Sequence, residues 1–282
     1  MKVVHTIQDL RTLLGEYRKQ GNKIAFVPTM GFLHEGHMSL VDHAKAVSPI
    51  VVMSIFVNPT QFGPGEDFER YPRNLERDRQ LAEERGVSVL FVPEVTEMYP
   101  DKPKTNISVS HITSRLCGAS RPGHFDGVAT VVSKLFHIVQ PDFACFGQKD
   151  AQQVAVIEQM VQDLNFPVEI IPCPIIREED GLALSSRNVY LNEEERKQAV
   201  VLSQALEQID PKFLAENTPG EVIKKVTELI DSRPLANIDY VELLSYPSLE
   251  PIEQFEGVSA VIVALAVKFG NTRLIDNKII KI

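Results

Sequence analysis

Residues 23–40 read KIAFVPTMGFLHEGHMSL, an apolar strand pattern that passes through a short turn into a helix pattern. The first turn of a helix carries unpaired backbone N–H groups, which favour a bound anion. His34 and His37 lie on the same side of that turn, so both imidazoles can contact one phosphate. Gly36 between them lacks the Cβ that would keep a nucleotide away from the backbone. The stretch therefore predicts a site for a nucleoside triphosphate.

Strand and helix patterns alternate on both sides of this stretch. Apolar strands are predicted at residues 24–27, 50–57, 87–92, 143–146 and 168–176. Helices are predicted after an N-cap at Thr6 and at about 36–46, 72–85, 125–139 and 149–165. Continuous apolar strands separated by helices indicate an α/β fold with a Rossmann-like, doubly wound parallel sheet. In such a sheet we expect the ligand beyond the carboxyl ends of the strands.

The pattern changes after Ile176. A charged, loop-like segment at 177–188 is followed by further predicted elements, which are helices at 193–208 and 219–232 and short strands near 240–244, 260–267 and 272–280. Helices followed by a small antiparallel sheet indicate a smaller C-terminal α+β domain. We therefore expect two domains, residues 1–176 and residues 177–282.

Composition narrows the class of partner and the cell compartment. The net charge is −9 and the chain has no polybasic run, which argues against nucleic acid or an anionic membrane as the main partner. Its three cysteines are widely spaced and odd in number, so they form neither a disulfide framework nor a zinc motif. The N-terminus has no signal-peptide pattern and no apolar run could span a bilayer. We expect a cytoplasmic protein.

The chemistry-bearing residues allow plainer interpretations when each is taken alone. Two histidines three residues apart could begin a metal site, but the sequence places no further ligand, so no protein metal site is predicted. Lys149 could bind phosphate and Asp150 a ribose hydroxyl, or the two could form a solvated charge pair at a helix start. Gln61 and Gln153 could orient a hydroxy acid or lie on the surface.

The segment Ser185-Ser186-Arg187-Asn188 allows two interpretations as well. Its hydroxyls and guanidinium suit a departing pyrophosphate. Taken alone, the segment is better explained as the N-terminal cap of the next helix.

In combination, six segments occur in an order and at a spacing that resemble the pantoate–β-alanine ligase family. They are PTMGFLHEGH (28–37), FVNPTQF (56–62), YPR (71–73), RPGHFDGV (121–128), GQKD (147–150) and SSRN (185–188). The resemblance covers essentially the whole chain. The first segment is also similar to the HxGH signature of the wider nucleotidyltransferase and class I aminoacyl-tRNA synthetase superfamily.

The resemblance implies where ATP and the acid bind. The implied nucleotide site comprises Met30, Gly31, Phe32, Leu33, His34, Glu35, Gly36, His37, Gly147, Gln148, Lys149, Asp150, Ile176, Leu184, Ser185, Ser186 and Arg187. The implied catalytic residues are His37 as proton donor, His34 as its partner on the phosphates, Lys149 and Arg187. Gln61 and Gln153 match the glutamines that hold pantoate, and Gln61 is also associated with β-alanine.

Two positions depart from the family pattern. The family commonly has methionine where this chain has Leu184, and an aromatic residue where it has Ala151. Both exchanges keep an apolar side chain and remove neither a hydrogen-bond donor nor a charge. We therefore expect them to change fine affinity rather than the reaction.

The implied reaction condenses pantoate with β-alanine and consumes ATP, giving pantothenate, AMP and pyrophosphate through a pantoyl adenylate. The implied assembly is a homodimer whose C-terminal domain closes as a lid. Mg²⁺ is expected on the phosphates with few protein ligands, and Asp78 is a possible contributor that the sequence does not assign.

Two other functions share some of these features. A nucleotidyltransferase that leaves the nucleotide on a phosphorylated acceptor would need cationic acceptor residues, whereas this chain offers Gln61, Gln153 and the apolar Phe62. A nucleotide-sensing module would have no need to keep all the nucleotide segments intact.

Overall fold

The computed structural model describes residues 1–282, which divide into two compact units. Unit 1 contains residues 1–109, 121–148 and 156–174. Unit 2 contains residues 110–120, 149–155 and 175–282. The C-terminal region after residue 176 thus lies wholly in unit 2, together with short segments from the preceding half of the chain.

The chain forms nine strands and eleven α-helices. The strands are β1 Lys2–Val4, β2 Ile24–Thr29, β3 Ile50–Ile55, β4 Val89–Phe91, β5 Phe143–Gly147, β6 Glu169–Cys173, β7 Ala236–Ser245, β8 Ala260–Phe269 and β9 Thr272–Lys281. The helices are α1 Ile7–Lys19, α2 Glu35–Val47, α3 Leu75–Arg85, α4 Val95–Met98, α5 Leu116–Ser120, α6 His124–Val139, α7 Ala151–Leu164, α8 Glu193–Ala199, α9 Val201–Glu207, α10 Pro211–Glu216 and α11 Pro219–Asp231. None of these helices combines the length and the apolar character needed to cross a membrane.

Unit 1 is built on a six-stranded parallel sheet in the order β1-β4-β3-β2-β5-β6. Most residues of its central strands are apolar because both faces are covered: residues 24–27 of β2 and 51–53 of β3 are fully buried. β2 pairs with β3 from Ile24↔Ile50 to Thr29↔Ile55. On its other side β2 pairs with β5 at Ala25↔Phe143. The predicted doubly wound parallel sheet is confirmed.

Unit 2 contains an antiparallel sheet in the order β7-β8-β9. Apolar side chains of α9 and α11, such as Leu202 and Val226, share one buried cluster with Val263 and Phe269 of β8. Helix α11 begins with a capping box in which Thr218 and Glu221 exchange hydrogen bonds. The predicted small C-terminal α+β fold is confirmed.

Several element boundaries differ from the predicted ones. The strand expected at 168–176 is shorter and runs from Glu169 to Cys173. The helix expected at 193–208 is divided into α8 and α9. Next to the division, the carbonyl of Val200 accepts both the hydroxyl of Ser203 at 3.0 Å and the backbone N–H of Gln204 at 3.3 Å.

Candidate active site

Unit 1 places its predicted site residues where the strand order reverses. The chain runs from β2 to β3 and β4 on one side of β2, and β5 and β6 are added on the other side. Parallel sheets bind ligands in the crevice at such a reversal, beyond the carboxyl ends of the strands. The HxGH turn, residues 30–37, follows β2, and Gly147 and Gln148 lie at the end of β5. The two nucleotide segments of this unit therefore lie at neighbouring strand ends.

A buried carboxylate holds the beginning of the HxGH turn. Asp78 of α3 is 1% exposed and accepts hydrogen bonds from the backbone N–H groups of Phe32 and Leu33, both at 2.7 Å. Burial raises the pKa of Asp78, and this effect outweighs the two amide hydrogen bonds that lower it. The turn is left-handed at Gly31 and Phe32, with φ of 83° and 50°. Asp78 thus stabilises a backbone shape that a free chain would rarely adopt.

Close packing also explains the glycine in this turn. A Cβ at Gly31 would lie 2.9 Å from Cγ2 of Ile55 and 3.1 Å from Oδ2 of Asp78. A side chain there would push the carboxylate away from the amides that it binds. Position 31 therefore has both a backbone and a steric reason to be glycine.

The two histidines meet at the start of α2. His34 is the N-cap residue, and its backbone N–H donates to Nδ1 of His37 at 3.3 Å. The two ring centroids are 4.0 Å apart. Because Nδ1 of His37 accepts, the neutral ring carries its proton on Nε2 and can donate from that atom. The structure thus brings the predicted pair together and fixes one of its tautomers at the positive end of a helix.

The side chain of Gln61 lies beside the HxGH turn. Its Nε2 donates to Sδ of Met30 at 3.2 Å, and its Oε1 accepts from Nδ2 of Asn58 at 3.1 Å. Asn58 is 1% exposed, and its own oxygen accepts from Tyr99 and Thr60, each at 3.0 Å. The buried Asn58 therefore fixes the orientation of the Gln61 amide. Sequence reasoning gave no role to Asn58, although it belongs to the quoted segment FVNPTQF.

The main chain of Gln61 is held by the segment RPGHFDGV. Arg121 donates to Nε2 of His124 at 2.9 Å, so Nδ1 of His124 carries the proton and donates to the carbonyl of Gln61 at 2.8 Å. Glu66 accepts two hydrogen bonds from Arg121, at 2.7 and 2.6 Å, and this pairing lowers the pKa of Glu66. A Cβ at Gly127 would lie 2.6 Å from Cα of Gln61. The segment RPGHFDGV therefore holds the backbone of Gln61 in place.

Unit 2 contains Lys149, Asp150 and Gln153. Lys149 lies in a 3-10 turn, Gln148–Asp150, that leads into α7, and its Nζ is 4.0 Å from the carboxylate of Asp150. Its carbonyl accepts from Nδ2 of Asn277 at 2.9 Å. Gln153 is half-buried on the first turn of α7. The predicted lysine thus has its backbone held by a buried side chain from β9.

The remaining predicted residues of unit 2 lie in the serine loop, residues 176–188. Leu184 donates its backbone N–H to the carbonyl of Ile176 at 3.0 Å, so these two apolar residues face each other across a tight hairpin. Oγ of Ser185 accepts from the N–H of Arg187 at 3.2 Å and caps the 3-10 turn Ser186–Tyr190. Ser186 is 8% exposed. Ser185 thus caps its own 3-10 turn, whereas the N-cap of the next α-helix, α8, is Asn192.

Comparison with known proteins identifies the family. A family model described as pantoate-beta-alanine ligase matches residues 2–279. Pantothenate synthetase of Acetivibrio thermocellus is 56% identical to this chain over 283 residues and is covered completely, as is this chain. The enzyme of the same name from Caldicellulosiruptor saccharolyticus is also 56% identical, with complete coverage of both chains.

Solved structures agree with the sequence matches. The pantothenate synthetase of Thermus thermophilus superposes with a TM-score of 0.93 at 47% identity, covering 99% of each chain. A Francisella tularensis pantoate-beta-alanine ligase, complexed with beta-gamma ATP and beta-alanine, gives a TM-score of 0.81 at 36% identity, covering 99% of this chain and 97% of that one. The predicted family and enzyme class are confirmed. The chain belongs to the pantoate–β-alanine ligase family.

Proposed function

We propose that this chain joins pantoate to β-alanine through a pantoyl adenylate, with the residues of the HxGH turn, Gln61, Gln153, Lys149 and the serine loop as its working groups. Membership of the ligase family supports the reaction. The HxGH turn is the observation that carries the assignment of the site. There Asp78 fixes the backbone, and His34 fixes the ring of His37 at a helix N-terminus.

The first step activates the acid. A carboxylate oxygen of pantoate attacks the α-phosphorus of ATP, a new O–P bond forms, and the bond to the β-phosphate oxygen breaks with its electron pair on pyrophosphate. Nε2–H of His37 donates to a phosphate oxygen, and Lys149 and Arg187 supply positive charge as negative charge moves onto pyrophosphate. The hydroxyls of Ser185 and Ser186 donate further hydrogen bonds. Positioning and electrostatic stabilisation provide most of the rate enhancement.

The second step forms the amide. The amine of β-alanine attacks the acyl carbon of the adenylate, the C–N bond forms, the C–O bond to AMP breaks, and the amine nitrogen loses a proton. Gln61 and Gln153 hold the pantoyl group by neutral hydrogen bonds, as suits an uncharged acyl group bearing hydroxyls. In this proposal residues 1–176 bind ATP and pantoate, and residues 177–282 act as a lid that protects the adenylate from water.

Mg²⁺ belongs to this proposal as part of the substrate MgATP. Both oxygens of Asp78 already accept backbone N–H groups, so Asp78 is better suited to shaping the turn than to binding a metal ion. No cluster of three or more His, Cys, Asp or Glu side chains has the geometry of a metal site. We therefore assign the ligands of Mg²⁺ to phosphate oxygens and water.

We also propose that the protein forms a homodimer and that it acts in the cytoplasm. The family resemblance supports both points. Light scattering on the purified chain measures the mass in solution and tests the dimer directly. A mass of 31.6 kDa, that of one chain, would contradict it.

The decisive experiment separates the two steps. The chain should exchange labelled pyrophosphate into ATP when pantoate is present and β-alanine is absent. With all three substrates it should release AMP and an amide, and omission of any one substrate should stop amide formation. Exchange that requires β-alanine would contradict a separate adenylate step. A nucleotide retained on the acceptor would instead indicate a nucleotidyltransferase.

A further inference from the structure

We propose that two consecutive residues of β9, Asp276 and Asn277, are positioning residues. They hold the lysine turn, which is the 3-10 turn Gln148–Asp150, and the serine loop in the positions that the reaction needs. Asn277 acts on Lys149, and Asp276 acts on the loop that carries Arg187. The inference rests on the proposed function, because it assumes that Lys149 and Arg187 work on the phosphates of ATP.

Asn277 holds the lysine turn through its main chain. The amide is 5% exposed, and its Nδ2 donates to the carbonyl of Lys149 at 2.9 Å. The contact leaves the ammonium of Lys149 uninvolved and fixes the backbone from which that long side chain extends. A lysine supplies a point charge on a flexible stem, so a fixed backbone limits the region that the ammonium can reach.

Asp276 holds the serine loop through an arginine. It is 2% exposed, and its two oxygens accept from Nη1 and Nη2 of Arg177 at 2.6 and 3.0 Å. Nη1 of Arg177 also donates to the carbonyl of Gly181 at 3.1 Å, and the backbone of Arg177 bridges to Ala183. One carboxylate therefore fixes both sides of the hairpin that leads into Ser185.

The two contacts are mechanically linked. Oδ1 of Asp276 also accepts the backbone N–H of Asn277 at 2.8 Å. Both residues lie in the middle of the β8–β9 ladder, opposite Leu265 and Ala264. Neighbouring residues of a strand point to opposite faces, so one strand can reach two separate segments.

A carboxylate and an amide are uncommon at buried positions of a strand. A buried carboxylate and a buried amide cost free energy unless they are well paired, and apolar residues fill such positions more cheaply. The pair is explained if its contacts are needed to hold the lysine turn and the serine loop.

A double-mutant cycle tests the inference. Asn277→Ala in the full chain should lower kcat for ATP–pyrophosphate exchange by about 10- to 100-fold, because a misplaced group of this kind loses that much rate. In a Lys149→Ala background the same substitution should change kcat by less than about 2-fold, since the group that it positions is already gone. Thr272→Val, on the same strand and also 5% exposed, is the matched control and should have no effect in either background.

The contact of Asp276 with the serine loop is tested by the same kind of cycle. Asp276→Asn should lower kcat in the otherwise unchanged chain and should have little effect in an Arg187→Ala background. If Asn277→Ala does not fold, Asn277→Thr replaces it, because threonine suits a strand and its hydroxyl is too short to reach Lys149. If turnover by the Lys149→Ala variant is too slow, the cycle is measured on the dissociation constant of ATP by calorimetry.

The outcomes separate the inference from its premise. Equal losses from Asn277→Ala in both backgrounds would show a general structural effect and would overturn the inference. Wild-type activity of Asn277→Ala would overturn it as well. A fully active Lys149→Ala variant would instead refute the proposed role of the lysine. Loss of activity in Lys149→Ala with a non-additive cycle supports both.

Discussion

Replacing Asp78 by asparagine should reduce catalysis far more than it reduces stability. The carboxylate accepts two backbone N–H groups of the HxGH turn at 2.7 Å. Asparagine has nearly the same shape but only one accepting oxygen, so one N–H faces an NH₂ group. Burial raises the pKa of Asp78, which means that the ionised form costs free energy in the folded state. A neutral side chain removes that cost and partly offsets the lost hydrogen bond.

The size of the effect follows from the lost acceptor. A buried donor left without an acceptor costs about 1–3 kcal/mol. If this cost destabilises the active conformation of the HxGH turn relative to its other conformations, the fraction of molecules with a correctly placed His37 decreases about 5- to 150-fold. The free energy of global unfolding should change by less than about 1 kcal/mol, because relief of desolvation opposes the loss.

The assay compares kcat/KM for ATP with the temperature of thermal unfolding. Glu76→Gln is the control, since it removes one carboxylate from the same helix at an exposed position. We expect a large fall in kcat/KM for Asp78→Asn, wild-type activity for Glu76→Gln, and similar unfolding temperatures for all three proteins. Wild-type kcat/KM in Asp78→Asn, or an equal loss in Glu76→Gln, would refute the reasoning.

Three further predictions concern other parts of the site. His37→Ala should lower the rate of ATP–pyrophosphate exchange by at least about 10²-fold, the effect of removing one transition-state donor. A near-wild-type rate would show that His37 takes no part in the reaction. Gln61→Ala should raise KM for pantoate about 10-fold and leave KM for ATP unchanged, as steady-state kinetics can show. Pairing with Arg121 lowers the pKa of Glu66 in the folded state, so its stabilisation is present above the unfolded pKa and is lost as pH falls. The unfolding temperature of Glu66→Gln should therefore approach that of wild type in acid, and a constant difference across pH would contradict this.

Local patterns in the sequence were enough to predict the parallel sheet and the proximity of the two histidines. Residues 24–27 are apolar without interruption, as a strand covered on both faces requires, and they are fully buried in β2. His34 and His37 lie within one helical turn, so their proximity follows from helix geometry alone. The order and spacing of several short motifs were needed to choose one reaction from the wider superfamily.

Contacts between distant parts of the chain were not predictable. Asp78 is 45 residues from Leu33, and in the sequence it is one of several acids on a strongly charged helix. Asn277 is 128 residues from Lys149 and lies in a strand pattern that only indicates burial. Neither side chain carries a local signal of its partner. The short helices α4, α5 and α10 and the three-residue strand β1 were missed as well, because three to six residues show too little periodicity.

The contact at Gly127 has a consequence for redesign of the acid pocket. Helix α6 approaches the turn at Gln61 backbone to backbone, and an added Cβ would lie 2.4 Å from the carbonyl oxygen of Thr60. Even one methyl group at this position would displace the turn and the glutamine with it. A library that seeks ligases for bulkier or smaller acids should therefore keep glycine at position 127 and vary the side chains around Gln61.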